Sequence, residues 1–281
     1  MLFKKCALVA SFVVTSLGFS SQVQAAPILT DIVMVIDESG SMGGVQANLR
    51  TNIGLFASIL TAGGVNARFG LVGYGSSGVV PRMLTDLTDA TSFATAANGL
   101  LTNGGTESGY AGIAYALNSI DDQVDLFSFR SNAVKNIILF TDEDNDFINQ
   151  DGGRVGGNAA TYSEVNAILS SNKALFNAVV SSGGACTTLN NNDASDDCYV
   201  PLALANGGGQ FDLAQLGSSN TQVVQNFVTA FATAKLQETI DFCTANPNDP
   251  ACVNRVPEPG ALVLVGLGLA AVGAVRRRRA G

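Results

Sequence analysis

A chain of 281 residues carries 23 acidic and 15 basic side chains, no histidine, no tryptophan and five cysteines. The imbalance is steeper inside: residues 27–255 hold 22 acids against 9 bases, a net charge of −13, which disfavours nucleic acid and anionic membrane surfaces as partners and favours cations. The missing histidine removes the commonest general base at neutral pH, and a body of about 230 residues fits one α/β domain with insertions.

Residues 1–26 read as a secretory signal peptide. Lys4 and Lys5 make a basic start, residues 6–19 an apolar core, and Val23-Gln24-Ala25 a small-residue site for cleavage after Ala25 or Ala26. The apolar core is short for a membrane span. Residues 32–36 then form an unbroken Ile/Val-rich run, the pattern of a strand buried on both faces, and it stops at Asp37. A helix is predicted over 45–60 from the spacing of Leu49, Ile53, Phe56 and Leu60, ended by Gly63-Gly64. Strands at 68–74 and 79–84, joined by Gly75-Ser76-Ser77-Gly78, predict a hairpin and so one antiparallel edge. Asp89 is placed to cap a helix reaching residue 98; a glycine-bearing loop covers 101–107 and a helix 108–119. A second continuous apolar strand, 136–140, again runs into an acid, Asp142. Residues 145–157 read as a polar, mobile loop, 162–170 as helix and 174–180 as strand. A cysteine-bearing insertion occupies 183–198, residues 199–205 lead into a glycine run, 210–213 form a last strand and 221–240 the closing helix. Alternating strands and helices predict an α/β fold: a doubly wound, mostly parallel sheet with one antiparallel edge strand and helices on both faces. Residues 241–255 read as a polar, proline-bearing linker.

Cys186, Cys198, Cys243 and Cys252 remain after signal removal, and in an exported chain an even set reads as disulfides. The pairing Cys186–Cys198 with Cys243–Cys252 is favoured because each closes a short polar loop, contributing about 2–4 kcal/mol apiece. Zinc is the rival, but there is no histidine and no C-x-x-C pair. Residues 256–279 close the chain: Pro257-Glu258-Pro259, an apolar stretch over 261–275, then Arg276, Arg277, Arg278 and Arg279. The apolar stretch can cross a membrane with its flanks as a transmembrane helix, and the arginines should stay cytoplasmic. This order of features is similar to a PEP-CTERM sorting signal. The resemblance implies a Gram-negative bacterium, export through the Sec machinery, transient inner-membrane anchoring, removal of the tail by an exosortase, and delivery to the cell surface or extracellular matrix.

At the end of the first strand, Asp37, Ser39 and Ser41 stand at alternate positions, with Gly40, Gly43 and Gly44 between and after them. Ligands of open α/β sheets bind at the carboxyl ends of the strands, and these oxygens suit a hard cation. The Asp-x-Ser-x-Ser element resembles the metal-ion-dependent adhesion site (MIDAS) of the von Willebrand factor A (VWA) family, and the order of elements resembles that domain over residues 30–240. Gly104-Gly105-Thr106 and Phe140-Thr141-Asp142 resemble the family's two distant elements. The resemblance implies a metal set of Asp37, Ser39, Ser41, Thr106 and Asp142. Ser39 and Ser41 would bind directly, Thr106 directly or through water, and the two carboxylates largely through bound waters. The ion would be Mg²⁺, with Mn²⁺ or Ca²⁺ as alternatives, and an open position would take a carboxylate from a protein or acidic polysaccharide.

Glu38, Glu107, Glu143, Asp144 and Asp146 flank this set, either as solvated acidic loops or as ligands of a second cation. Asp142, Asp144 and Asp146 do not start an EF-hand, because Phe147 replaces the turn glycine and Gly153 the closing Glu. The leading reading is therefore a non-enzymatic, metal-dependent binding module for adhesion or matrix (biofilm) assembly. A structural matrix component with a purely stabilising metal is the alternative. A hydrolase would need carboxylate-only chemistry, since histidine and G-x-S-x-G are both absent. The family's cytoplasmic chelatase role conflicts with the export signals.

Overall fold

The computed structural model describes residues 26–76, 80–181 and 198–253. The two terminal signals with Ala25, and Cys186 with most of the insertion, lie outside the described residues. In chain order the elements are β1 (Ile28–Asp37), α1 (Gly43–Ala62), β2 (Val65–Tyr74), β3 (Arg82–Thr88), α2 (Ala90–Ala96), α3 (Gly109–Ala116), β4 (Val134–Thr141), β5 (Arg154–Val155), β6 (Asn158–Ala159), α4 (Tyr162–Ser171), β7 (Leu175–Val180), α5 (Tyr199–Ala205), β8 (Gln210–Asp212), α6 (Leu213–Leu216) and α7 (Thr221–Ala245). The main sheet has the order β3-β2-β1-β4-β7-β8, and among the described residues only β3 runs antiparallel in it.

The alternation of β1 explains the layering. Ile32, Met34 and Ile36 face a core built with Leu49, Ile53, Phe56, Phe227 and Phe231 of α1 and α7. Val33 and Val35 face the other core, with Tyr110 and Ile113 of α3 and Leu169 of α4. A strand with both faces covered needs no polar face, which is why its sequence reads as continuous Ile and Val. The sheet grows from β1 to β2 on one side and to β4 on the other, so the carboxyl ends of β1 and β4 form the switch point where such folds bind ligands.

Some boundaries differ from the sequence reading. The expected strand 79–84 is displaced: β3 begins at Arg82, directly after Pro81, which has no N–H to give to a ladder. The helix expected to reach 119 ends at Ala116, and Asn118 takes the left-handed conformation (φ 57°). Residues 145–153 are irregular, as expected, but the segment 145–157 is anchored to the fold at several points. Asn145 and Ile148 are buried, β5 pairs with β6, and the Asp121 carboxylate accepts the N–H groups of Gly156 and Gly157 at 3.0 and 2.6 Å. Residues 199–205 form a helix that tolerates Pro201 because it sits in the first turn.

The expected linker 241–255 is also corrected. α7 continues to Ala245, and residues 246–253 fold back on it, tied by the Cys243–Cys252 disulfide and by Lys173 to Asp249 at 2.9 Å. Both cysteines are buried, so the tie completes the core rather than decorating a tail. Cys198 is likewise disulfide-bonded and buried. Among the described residues no helix is long and apolar enough to cross a membrane; the stretch 261–275 lies outside them.

Candidate metal centre

Asp37 ends β1 with no exposed surface. Its Oδ1 accepts the Ser39 N–H at 2.7 Å, and its Oδ2 accepts the Thr141 hydroxyl at 2.8 Å. The Thr141 bond comes from the parallel register, which sets Ile36 beside Phe140 and so brings the ends of β1 and β4 level. The Ser39 bond turns the chain sharply, and the Ser39 and Ser41 hydroxyl oxygens then lie 3.1 Å apart. Three oxygen-bearing side chains are thus gathered by one strand end and one turn.

The 101–107 loop is fastened to this turn. Ser39 pairs with Gly104 in an isolated parallel bridge, and the Glu38 carbonyl accepts the N–H groups of Asn103 and Gly104 at 3.1 and 3.0 Å. Gly105 N–H reaches the Gly75 carbonyl at 3.2 Å. Gly104 must be glycine here, since a Cβ would fall 1.6 Å from the Gly75 carbonyl oxygen. The consequence is that half-buried Thr106 is carried on a loop anchored to the Asp37–Ser41 turn.

Asp142 follows Thr141 at the end of β4. Its carbonyl accepts the Ser181 hydroxyl at 3.1 Å, while its Oδ1 is buried with no hydrogen-bond partner. An unpartnered buried carboxylate oxygen costs several times a normal hydrogen bond's net contribution, so it calls for a cation or an ordered water. Burial, with help from the nearby Asp142 charge, pushes the Asp37 carboxyl up to about 6, against the hydrogen bonds from Ser39 and Thr141 that lower it. Burial and the charges of Asp37, Glu143, Asp146 and Asp142 push Glu107 up to about 7. The edge therefore holds more negative charge than it can solvate. A bound divalent cation would reverse both effects, and two carboxylates with hydroxyl oxygens are the donor chemistry of Mg²⁺, Mn²⁺ or Ca²⁺. Among the described residues no group of three or more His, Cys, Asp or Glu side chains is arranged to hold a metal, so hydroxyls must supply part of any shell here.

Two of the flanking acids, expected from sequence to be either solvated or cation-binding, are buried. Glu38 is fully buried; it pairs with Arg82 and accepts the Leu101 N–H at 2.7 Å, which pins the start of the 101–107 loop. Glu107 is buried, and its backbone exchanges bonds with Asp146: its N–H meets the Asp146 carboxylate at 3.0 Å and its carbonyl accepts the Asp146 N–H at 2.8 Å. Glu143, Asp144 and Asp146 are exposed. Thr141 and Glu38 are the positioning residues that the sequence reading left without a role. The only signal for Thr141 was its place in the Phe140-Thr141-Asp142 string; nothing local pairs Glu38 with Arg82, 44 residues away.

The family comparison agrees with this architecture. A family model described as von Willebrand factor type A domain matches residues 31–185, and one described as PEP-CTERM protein-sorting motif matches residues 255–279. No curated protein matches the sequence. Among solved structures, the pilus adhesin SpaC from Lactobacillus rhamnosus GG aligns at 15% identity and TM-score 0.45, over 77% of this chain and 31% of that one. Proximal thread matrix protein 1 from the mussel byssus aligns at 13% identity and TM-score 0.46, over 73% of this chain and 47% of that one. This chain thus spans less than half the length of either.

Proposed function

This chain belongs to the von Willebrand factor type A domain family, and from that premise we propose that it is a surface binding module whose partner is held through a divalent cation at the switch point of β1 and β4. The PEP-CTERM motif makes it an exported protein of the cell surface or matrix. The proposal adds a Gram-negative host, an exosortase as processing partner, and adhesion or matrix assembly as the role.

The observation that carries the reading is the partnerless, buried Oδ1 of Asp142, set at the strand end beside Asp37. Ser39 and Ser41 would hold Mg²⁺ directly, with Thr106 from the anchored loop and Asp37 and Asp142 largely through water. With neutral direct ligands the ion remains electrophilic and offers a position to a carboxylate of a protein or acidic polysaccharide. Thr141 and the Ser39 N–H hold the Asp37 carboxylate in one orientation, and Glu38 with Arg82 keeps the 101–107 loop against it. We read the role as binding rather than turnover, since a metal held by neutral hydroxyls with an open position is built to take a carboxylate.

Titration of the protein freed of its two terminal signals with Mg²⁺, Mn²⁺ and Ca²⁺ tests the reading. Saturable binding of one ion is expected, and its loss in Asp142→Ala and in an Asp37→Ala, Ser39→Ala double variant. Equal binding by these variants would refute it. Partner capture that survives loss of the ion would instead make the metal a stabiliser of the loops. A further expectation concerns orientation alone: Thr141→Val keeps shape but frees the Asp37 carboxylate, and should weaken ion binding roughly 10–100-fold, as losses of ligand-orienting partners do. An unchanged isotherm would show that Ser39 suffices.

A further inference from the structure

α7 carries a buried lysine that the metal centre does not use. Lys235 and Asn177 of β7 both have no exposed surface, and the Lys235 ammonium donates to Asn177 Oδ1. Glu238, one turn further along α7, bridges the two: its Oε2 lies 2.7 Å from Lys235 Nζ and its Oε1 accepts from Asn177 Nδ2 at 3.0 Å. The surroundings are apolar. Asn177 stands beside Ile138 across the sheet, and the Gly208 backbone closes over it so tightly that a Cβ there would fall 2.6 Å from Nδ2. Phe231, one turn before Lys235, packs on Phe56, Phe140, Phe211 and Phe227.

An amine, a carboxamide and a carboxylate with one oxygen on the nucleophile and the other on the leaving group make a reactive set. We propose that Lys235 and Asn177 join in an intramolecular isopeptide bond, with Glu238 as the catalytic residue. Glu238 takes a proton from the Lys235 ammonium, and the free Nζ attacks Asn177 Cγ. Glu238 passes that proton to Nδ2 as the Cγ–Nδ2 bond breaks, then takes the second proton that Nζ releases on becoming an amide nitrogen. Ammonia leaves, and no oxidant, reductant or co-reactant enters. Burial lowers the Lys235 pKa, which favours the free amine. Holding the groups in contact converts the step into an intramolecular one. Desolvation favours replacing a buried ion pair by a neutral amide. The bond would fasten the closing helix to the sheet at one point.

The chain contains its own comparison. Lys135 Nζ also meets an asparagine, Asn172 Oδ1, at 2.8 Å, but both residues are partly exposed and among the described residues no carboxylate bridges them. That pair should stay unlinked.

Trypsin reads the result on the exported protein after its disulfides are reduced and blocked. An unlinked chain is cut after Lys173, Lys235 and Arg255, giving fragments 174–235 and 236–255. The linked chain resists cleavage at Lys235 and gives one fragment, 174–255, lighter by one ammonia. A succinimide at an asparagine would lose the same mass but leave Lys235 cleavable. Glu238→Gln, on a side chain 18% exposed, should restore both fragments at full mass, with folding verified by its melting curve. Fragments 174–235 and 236–255 at full mass from the wild-type protein would overturn the proposal, and a linked Glu238→Gln protein would overturn the role of Glu238.

Discussion

In chelator, the melting temperature of this protein should fall as pH rises from about 4.5 to about 7.5, and Mg²⁺ should restore it at the upper end. The sign follows from Asp37. Its carboxyl titrates near 3.8 when unfolded and about 6 when folded and metal-free, chiefly because burial disfavours the anion. The folded state therefore binds the extra proton between those values, and stability present below the unfolded pKa is lost as pH climbs through the folded one. Across the stated range that is about 2 kcal/mol for Asp37, or roughly 4–8 °C in a domain of this size. Glu107, raised to about 7 by burial and by its acidic neighbours, acts in the same direction. Asp86 and Asp249, whose carboxyls are held low by backbone N–H groups and by Lys173 respectively, work the opposite way but only below this window. Thermal melts over this range check the expectation, with Asp37→Asn as the decisive variant. Its carboxamide oxygen still accepts the Ser39 N–H but carries no charge, so the pH slope should flatten and the response to Mg²⁺ disappear. A metal-free protein whose melting temperature holds or rises toward pH 7.5 would contradict the assignment of Asp37 as a strained, cation-seeking carboxylate.

The second large effect lies at the other end of the same strand. Asp31, fully buried, is shared by two guanidiniums, Arg68 at 3.0 Å and Arg130 at 2.8 Å, and accepts the Arg130 N–H at 2.6 Å. Arg130 in turn caps the carbonyls of Thr30 and Asn66 at the starts of β1 and β2. Asp31→Ala strands two positive charges and a backbone donor, and should cost about 3 kcal/mol, the low end for breaking a buried pair because both arginines reach solvent. The melting temperature should drop by roughly 6–12 °C. Cation affinity should not change, because six residue steps along the strand, about 20 Å, separate Asp31 from Asp37. A shift under 2–4 °C, the worth of about 1 kcal/mol, would mean the arginines find full solvation without Asp31. A changed ion affinity would mean that β1 transmits strain along its length.

Much of this architecture is written locally. The unbroken apolar runs at residues 32–36 and 136–140 announce strands covered on both faces, and Asp37 and Asp142 announce where they stop. Asp89 was legible as a cap because its partners are all within three residues: the Thr91 and Ser92 N–H groups and the Ser92 hydroxyl. The glycine run before Thr106 was legible as a loop, but not that Gly104 packs against the Gly75 carbonyl. The short elements were harder. α6 has four residues and no period to read, and β5 and β6 have two each. The continuation of α7 beyond residue 240 was hidden because residues 241–253 look polar in sequence; the disulfide, the Lys173–Asp249 pair and the burial of Ala251 and Cys252 show that they are folded back.

The sequence alone determined the strand–helix alternation and the C-terminal sorting motif, and it offered the hydroxyl and carboxylate residues proposed to hold a metal, because each piece is a short local pattern. Tertiary structure decided which groups meet. Parallel register brings the Thr141 hydroxyl to Asp37, 104 residues apart, and the same sheet sets Glu238 and Lys235 against Asn177. It also decided which acids are solvated and which are buried with a partner or without one. Glu38 and Glu143 look alike in sequence, yet one is paired to Arg82 inside the fold and the other lies in water. The physical reason is that a charge's free energy depends on what surrounds it in space, and side chains far apart along the chain supply those surroundings.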